Sequence, residues 1–265
     1  MYPWTGKWAL VTGASAGIGV ALATELAEAG TNLVLTARRQ DRLAALARDL
    51  ATKHNIRAEI CVADLVDPAA PGAIFNFVRE NNLHIGLLVN NAGFGAYGEF
   101  AASDRARQME MVQVNCSAVV NLTHLFLQPM LRQKAGDILI VASTAAFQAV
   151  PYITTYAATK AFDLHFAEGL AEELKPFGIR VCGLCPGSTE SEFHQVASQN
   201  SAPAAKRPRE TAEKVARVGL QALAAGKSYV ISGRRNYMGA HFQRLVPRHF
   251  VTTIAAKLFR PPAKA

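Results

Sequence analysis

A glycine-rich turn between an apolar strand and a helix is the feature that most constrains the fold of this chain. The pattern predicts a first strand at residues 8–11 and a first helix at 17–29, and Thr12-Gly13-Ala14-Ser15-Ala16-Gly17-Ile18-Gly19 lies at their junction. The spacing G-x-x-x-G-x-G allows a tight turn and lets a pyrophosphate approach the backbone at a helix N-terminus. Because a strand precedes this turn and a helix follows it, a dinucleotide site is a better interpretation than a plain tight turn.

Apolar strands and helical stretches alternate along the whole chain, which is typical of parallel β-α units. Further strands are predicted at residues 32–37, 56–63, 86–90, 137–143, 180–185 and 228–232. Further helices are predicted at residues 41–53, 70–81, 103–133 and 212–225, and one more helix carries Tyr156. A chain of 265 residues is normal for one large α/β domain. We therefore expect an α/β, single-domain Rossmann fold with a doubly wound parallel β-sheet flanked by helices.

The regular alternation weakens after Pro186, and this sets the expected domain organisation. Residues 188–209 are rich in serine, alanine, proline and charge. A loop of this length is usually a functional lid or disordered. We expect residues 1–232 to form the nucleotide-binding catalytic domain, with a mobile substrate loop at about 188–209. Residues 233–265 are expected to form a basic extension that packs on the domain or lies at an oligomer contact.

Tyr156 and Lys160 stand four residues apart on a predicted helix, so their side chains share one face. A free tyrosine has a pKa of about 10 and hardly exchanges protons at neutral pH. A nearby ammonium favours the phenolate and lowers that pKa toward the working range. Ser143 ends the predicted strand 137–143, where its hydroxyl could hold a carbonyl oxygen while the tyrosine protonates it. The alternative is a surface tyrosine packed on a lysine stem, but apolar residues continue at helical spacing after Lys160 and favour a real helix.

The end of the second predicted strand discriminates between the two nicotinamide dinucleotides. A carboxylate there would bind the adenine-ribose 2′-hydroxyl of NAD and repel a 2′-phosphate. This chain has Ala37 followed by Arg38 and Arg39, and a guanidinium binds phosphate with two parallel hydrogen bonds. We therefore expect NADP(H), with Arg38 as the phosphate ligand, whereas Arg39 and Arg42 could simply be solvated.

Composition excludes several other classes of function. The formal net charge is +8, but the basic residues do not form a recognition helix, so no nucleic acid is expected. Cys182 and Cys185 lie in a predicted strand that sends them to opposite faces, and we interpret them as structural rather than redox-active. The histidines lack metal-ligand spacing, so no metal is expected. The start of the sequence lacks a signal-peptide pattern, which makes a cytoplasmic location the default expectation.

Several motifs occur in the order and approximate spacing of the short-chain dehydrogenase/reductase family, which the chain resembles over residues 6 to about 232. They are the turn from Thr12 to Gly19, Asn90-Asn91-Ala92-Gly93, Asn115, Ser143, Tyr156 with Lys160, and Pro186-Gly187. Each motif alone is modest, but together they are highly specific. Within the family, residues 33–39 and the basic tail resemble ketoreductases related to steroid and long-chain 3-ketoacyl reductases.

The resemblance implies a catalytic set. Tyr156 would be the general acid/base, Lys160 would lower its pKa and bind the nicotinamide ribose, and Ser143 would orient the substrate oxygen. Asn115 would hold a water that continues a proton relay through Lys160; alternatively, or in addition, it stabilises a helix irregularity. Hydride would pass from the nicotinamide to a carbonyl carbon, and Tyr156 would protonate the resulting alkoxide.

The resemblance also implies a set of residues that bind the cofactor. Asp64 would contact the adenine, although it could instead cap a turn. Ser191 stands where the family more often has threonine, a change that keeps the hydroxyl. The remaining expected cofactor-binding residues come from the motifs above and from Arg38: Gly13, Ser15, Gly17, Ile18, Gly19, Arg38, Asn91, Ala92, Gly93, Tyr156, Lys160, Pro186, Gly187, Thr189 and Ser191.

The substrate pocket is less constrained by the sequence. Several aromatic residues fall near segments that line the pocket in this family, namely Phe94, Tyr97, Phe100, Phe147, Tyr152 and Phe193. For Phe100, core packing is the expected role. Together these residues favour an apolar or aromatic ketone over a sugar, so the expected partner is a small-molecule carbonyl or alcohol.

Two further functions stay open, and self-association is expected. The residues 242–259 mix aromatics and cations as surface-binding helices do, which allows a membrane-associated reductase of acyl or lipid-like carbonyls. For this tail, intramolecular packing ranks first, an oligomer contact second and a membrane third. A non-catalytic NADP-sensing regulator would share the fold but would not need the complete catalytic set. The helices that start near Ser103 and Tyr156 form dimer faces in many family members, so a homodimer or homotetramer is expected.

Overall fold

Within residues 2–192 and 209–261, which the computed structural model describes, seven parallel strands form one sheet. Their order is β3-β2-β1-β4-β5-β6-β7. The strands are β1 Trp8–Thr12, β2 Asn32–Ala37, β3 Ala58–Val62, β4 Ile85–Asn90, β5 Gly136–Val141, β6 Ile179–Cys185 and β7 Tyr229–Ile231. Central β1 pairs with β2 on one side and β4 on the other. The chain therefore winds in two directions from β1, and the predicted doubly wound Rossmann fold is confirmed.

Helices cover both faces of this sheet. In chain order they are α1 Gly17–Glu28, α2 Gln40–His54, α3 Ala70–Glu80, α4 Arg105–Val112, α5 Ala118–Gln133, α6 Thr154–Leu174, α7 Ala212–Ala224, α8 Arg234–Phe242 and α9 Arg248–Phe259. No helix in the described ranges combines the length and apolarity needed to cross a bilayer. Of the predicted substrate loop, residues 193–208, including Phe193, lie outside the described residues, as do residues 262–265 of the extension.

Two core layers result from the alternation of side chains along the strands. In β2, Leu33 and Leu35 pack with α1 and α7 in one layer, whereas Val34 packs with α3 and α5 in the other. The same rule separates the cysteine pair, since Cys182 and Cys185 belong to different core clusters. All four cysteines of the chain are free. The apolar runs therefore build both faces of a buried parallel sheet.

Two local predictions were wrong. The helix predicted at 103–133 is interrupted by a π-helical segment, Gln113–Ser117, which joins α4 to α5. Apolar spacing does not distinguish i→i+4 from i→i+5 hydrogen bonding over one turn, so the apolar pattern does not reveal this insertion, which the sequence indicated only through the alternative role of Asn115. Phe100 was expected in the core but is exposed, because it lies on the short 3₁₀ helix Phe100–Ala102, which has no buried residue.

Candidate active site

A cavity of about 500 Å³ lies at the carboxyl ends of the strands, beside the neighbouring strands β1 and β4, from which the chain winds in opposite directions. It extends along the sheet edge from Arg38 and Asp64, which follow β2 and β3, to Ser143 and Tyr156, which follow β5. Gly19 and Asn115 are the predicted site residues that do not line it. The others do: Gly13, Ser15, Gly17, Ile18, Arg38, Asp64, Asn91, Ala92, Gly93, Ser143, Tyr156, Lys160, Pro186, Gly187, Thr189 and Ser191.

The glycine-rich turn presents backbone to this cavity. Gly13 and Gly17 have φ values of +66° and +55°, in the left-handed region that glycine adopts without strain. A Cβ at Gly13 would lie 2.9 Å from the Cα of Ala92, and one at Gly19 would collide with the Gly13 carbonyl oxygen. Ala16 gives the N-terminus of α1 no side-chain cap, so its first N–H groups remain available to an anion. The turn thus fits a pyrophosphate, with Gly19 packed behind it.

Arg39 is held against the glycine-rich turn, so the alternative that it is simply solvated does not hold. Its Nε and Nη2 donate to the Ser15 hydroxyl at 3.1 and 3.0 Å, and its Nη1 donates to Glu192 at 2.8 Å. Arg42 donates to the other oxygen of the same carboxylate at 2.6 Å. These hydrogen bonds lower the pKa of Glu192. Arg38 is more exposed and lies 3.8 Å from Asp64. Two guanidinium groups therefore line the cavity, where Arg38 alone was expected to bind phosphate, and each has a carboxylate nearby, Asp64 for Arg38 and Glu192 for Arg39.

Asp64 and the Asn91 motif also line the cavity, and both make contacts with neighbouring backbone. Asp64 accepts from the backbone N–H of Val66 at 3.1 Å, which is the turn-capping contact considered from the sequence. Asn91 donates through its amide to the carbonyl oxygen of Thr12 at 2.8 Å, and its backbone N–H donates to the Thr12 hydroxyl. Asn91 therefore ties the end of β4 to the glycine-rich turn.

Tyr156 and Ser143 meet at the other end of the cavity. The Ser143 hydroxyl is hydrogen-bonded to the phenol and also accepts from the backbone N–H of Ala145 at 3.1 Å. Burial raises the pKa of Tyr156 above its ordinary value, although Lys160 and the Ser143 hydrogen bond act in the opposite direction. The lysine thus contributes in the predicted direction, but in this structure desolvation has the larger effect. The phenol is consequently held in its protonated form.

Lys160 has a buried partner that the sequence analysis missed. Its ammonium donates to the Val141 carbonyl at 2.8 Å and to the Asp163 carboxylate at 2.9 Å. Burial is the largest single influence and lowers the pKa of Lys160, but the charges of Asp163 and Tyr156 and the hydrogen bond to Asp163 together outweigh it, so the pKa is raised. The ammonium lies 6.0 Å from the centre of the Tyr156 ring. Asp163 follows Lys160 by three residues, a spacing at which helical side chains are neighbours, and this was the available signal.

Asn115 is fully buried in the π-helical segment and joins two neighbouring elements. Its amide oxygen accepts from the N–H of Phe94 at 3.1 Å, and its amide nitrogen donates to the Phe94 carbonyl and the Thr159 hydroxyl, both at 3.0 Å. A Cβ at Gly93 would lie 3.2 Å from this amide oxygen and 3.3 Å from the Lys160 ammonium. The helix irregularity considered from the sequence is therefore present. Asn115 and Lys160 both lie next to Gly93, which separates them.

The C-terminal extension contributes two cavity residues with no sequence signal of their own. Asn236 on α8 donates to the Ser232 carbonyl at 2.7 Å and lies so close to Gly187 that any Cβ there would collide with it. Phe259, the last residue of α9, also lines the cavity. Both residues come from a segment distant in sequence from the family motifs, so only the tertiary structure reveals them.

Tyr156 belongs to an apolar cluster, and a substrate bound next to the phenol would contact it. Its buried members include Met111, Val150 and Ile153, and Phe94, Tyr97 and Phe259 pack against the cluster. Of the aromatic residues predicted near the pocket, Phe94 lines the cavity and Tyr97 packs in this cluster. Phe147 and Tyr152 do not line the cavity.

Comparisons with known proteins agree with this architecture. The family model described as short chain dehydrogenase matches residues 7–202. The very-long-chain 3-oxoacyl-CoA reductase of Anas platyrhynchos is 33% identical over 201 residues, which cover 74% of this chain and 64% of that protein. The inactive hydroxysteroid dehydrogenase-like protein 1 of Homo sapiens is 33% identical over 185 residues, or 68% of this chain and 55% of that protein. The chain thus spans between half and two thirds of the length of these curated relatives.

A solved structure matches over nearly the full length. The short-chain dehydrogenase from Sphingobium yanoikuyae in complex with NADPH is 28% identical to this chain, with a TM-score of 0.82. The alignment covers 98% of both chains. The similarity therefore includes the region of α8 and α9, beyond the residues that the family model matches.

Proposed function

The chain belongs to the short-chain dehydrogenase family, whose members use NAD(P)H, and from this premise we propose that it is an NADP(H)-dependent carbonyl reductase. Its substrate is an apolar or aromatic ketone or aldehyde, and its product is the corresponding alcohol. The observation that carries the proposal is the convergence of Ser143, Tyr156 and Lys160 on one cavity whose other end holds the glycine-rich turn and two arginines.

The proton step follows from the contacts of these side chains. A carbonyl oxygen placed beside Ser143 and Tyr156 accepts a hydrogen bond from each, and both donors strengthen as negative charge develops on that oxygen. Tyr156 then transfers its proton to the oxygen, which is possible because burial keeps the phenol protonated. Lys160, fixed by Val141 and Asp163, stabilises the phenolate that remains. The nicotinamide of the bound cofactor would supply the hydride.

Preference for NADP(H) is supported by the charges around the adenosine end of the cavity. Arg38 and Arg39 both line it, and no carboxylate follows Ala37 at the end of β2. A 2′-phosphate would gain charge-assisted hydrogen bonds from guanidinium groups at this position. The solved relative from Sphingobium yanoikuyae was determined with NADPH.

An acyl thioester is the second candidate substrate class. One curated relative carries the name very-long-chain 3-oxoacyl-CoA reductase, and the apolar cluster around Tyr156 would accept a hydrocarbon chain as readily as an aromatic ring. A non-catalytic cofactor sensor is the alternative outside catalysis, and one relative is named inactive. Both alternatives predict NADPH binding, so turnover is what separates them.

Homo-oligomerisation is part of the proposal. Exposed large apolar side chains lie on three neighbouring helices, with Met109 on α4, Val120 on α5 and Phe162 on α6. Val120 and Phe162 line one groove on this surface, and apolar residues grouped in this way mark a protein contact more often than isolated ones do. Sedimentation velocity of the wild type and of Phe162→Asp tests this, and a change toward monomer in the variant is the expected result.

The function is tested by NADPH oxidation, followed by absorbance, with a panel of aromatic ketones, aldehydes, diketones and 3-ketoacyl thioesters. NADH is run in parallel, and Tyr156→Phe is the matched variant because it removes one hydroxyl. We expect turnover with NADPH that falls by at least two orders of magnitude in Tyr156→Phe, while NADPH binding persists. NADPH binding without turnover of any panel member would favour the sensor.

A further inference from the structure

Helices α8 and α9 bury small residues and expose large apolar ones, which reverses the usual arrangement of a surface helix. Each helix has one buried residue, Ala240 in α8 and Ala255 in α9. Ala240 packs beside Ala142 and Leu164, and Ala255 belongs to the cluster around Tyr156. The extension is thus attached to the domain by these alanines and by Phe259, whereas most of its larger apolar side chains remain exposed.

The exposed apolar residues of this segment form a patch. Six of the twelve exposed large apolar side chains in the described residues lie within positions 237–254, namely Tyr237, Met238, Phe242, Leu245, Phe250 and Ile254. Met238 and Phe242 are one helical turn apart on α8, as are Phe250 and Ile254 on α9, so each pair shares a face. A clustered apolar surface of this kind marks an interaction site, whereas single exposed residues need no explanation.

Cations surround this patch and have no anionic neighbours. The exposed basic residues of the segment are Arg234, Arg235, Arg244, Arg248, Lys257 and Arg260. The sequence contains no aspartate or glutamate after Glu213. Among the described residues, none of these six cations lies within 4.0 Å of a carboxylate; the last ion pairs along the chain are those of Lys214 and Arg217. The segment therefore presents apolar and positive groups together.

We propose that the surface formed by α8, residues 243–247 and α9, called here the α8–α9 surface, docks on an anionic lipid bilayer. Aromatic and aliphatic side chains mixed with arginines are what a helix needs to bury its apolar face at the headgroup boundary while its cations pair with lipid phosphates. A second copy of the chain fits less well, because a two-fold contact would set each cation against cations with no carboxylate to neutralise them.

The same helices connect this surface to the cavity. Asn236 and Phe259, which line the cavity, belong to the helices whose outer sides carry Met238, Phe242 and Ile254. A docked protein would hold its cavity wall next to the bilayer. If the proposed carbonyl reductase activity is correct, its natural substrate then partitions into lipid. This last clause rests on the proposed function, whereas the docking itself does not.

The test is flotation of the purified full chain with phosphatidylcholine vesicles, with and without phosphatidylglycerol. We expect co-flotation only when phosphatidylglycerol is present, and weaker binding at high salt because screening shortens the reach of surface charges. Each cation near an anionic bilayer contributes about fivefold to partitioning, so the double variant Arg234→Gln/Arg235→Gln should lower the partition coefficient about 30-fold. Binding that does not depend on phosphatidylglycerol would overturn the proposal.

Matched variants distinguish specific binding by the α8–α9 surface from nonspecific adsorption of the protein to vesicles. Phe242→Ser should reduce flotation, whereas Phe100→Ser should not, although the two side chains are almost equally exposed at 67% and 68%. Arg132→Gln, at an exposed cation on α5, is the matched charge control. Equal loss in Phe242→Ser and Phe100→Ser would refute the proposal, as would a change in the lipid-free oligomeric state caused by Phe242→Ser alone. Circular dichroism of each variant verifies folding, and vesicle binding requires no turnover, so this test fails or succeeds independently of the catalytic one.

Discussion

The buried ion pair of Lys160 and Asp163 allows a quantitative prediction of the free energy of unfolding. Asp163→Asn keeps the shape of the side chain and an accepting amide oxygen but removes the negative charge, which leaves the Lys160 ammonium hydrogen-bonded and without its counter-charge. The two side chains are only 6% and 1% exposed. Removing one partner of a buried ion pair strands the other charge and typically costs about 3–5 kcal/mol. We therefore expect the free energy of unfolding to fall by about that amount.

The chain contains a control with the same chemistry in a different environment. Asp49 and Lys53 form an ion pair on α2 with an N–O distance of 2.9 Å, the same as in the buried pair, but their side chains are 49% and 63% exposed. An exposed pair at this helical spacing contributes about 0.3–0.5 kcal/mol. Asp49→Asn should therefore leave stability almost unchanged. The difference between the two variants isolates the effect of burial.

Urea denaturation, followed by fluorescence of Trp4 and Trp8 and by circular dichroism, measures both variants. A loss in Asp163→Asn no larger than that in Asp49→Asn would refute the reasoning. The double variant Lys160→Met/Asp163→Leu gives a second check, because replacing a buried ion pair by apolar residues of similar size is often neutral or stabilising. The double variant should regain most of the stability that Asp163→Asn loses, but it should show no turnover because it lacks Lys160. Recovery of stability without recovery of activity would assign the charge pair to function rather than to folding.

Two further predictions concern proton transfer and cofactor choice. Because burial raises the pKa of Tyr156, the phenol of the free enzyme stays protonated above its ordinary pKa of about 10. We therefore expect kcat/KM for reduction to stay level from neutral pH to at least that value, while the rate of alcohol oxidation increases with pH. A kcat/KM for reduction that already decreases at a pH below about 8 would contradict this. Because Glu192 forms ion pairs with Arg39 and Arg42, Glu192→Gln should tighten NADPH binding several-fold in a fluorescence titration and leave NADH binding unchanged. Glu190→Gln, at an exposed neighbouring residue, is the control. Equal effects on both cofactors would argue against competition between Glu192 and the 2′-phosphate.

The fold was predictable from the sequence because its signals are local and repeated. β2, for example, was expected at residues 32–37 and is observed at Asn32–Ala37, since an uninterrupted apolar run between helical stretches has few alternatives. The motifs also specified which strand ends meet, because parallel strands bring their carboxyl ends to one edge. The same rule explains why Ser143, at the end of its strand, lies beside the helix that carries Tyr156.

The remaining features depend on contacts that spacing does not encode. Whether Arg38 or Arg39 faces the glycine-rich turn depends on the path of a long side chain toward Ser15, not on its position after β2. The net pKa of Tyr156 depends on how completely it is buried, which neither Tyr156 nor Lys160 reveals by itself. Phe259 reaches the cavity from the end of the extension. The sequence around it resembles the sequence around the exposed residues Phe250 and Ile254, so the sequence does not show which of these side chains faces the cavity.

The division of the cavity wall between two parts of the chain has a consequence for how such a catalyst diversifies. The proposed reacting groups Ser143, Tyr156 and Lys160 lie in the central part of the chain, whereas Asn236 and Phe259 lie in the extension. Substitution at Phe259, or exchange of the whole segment from Gly233 onward with that of another member of the fold, changes the shape of the wall and leaves the residues Ser143, Tyr156 and Lys160 themselves in place. Selection, in nature or in the laboratory, can therefore alter which molecules are accepted while the chemistry stays constant.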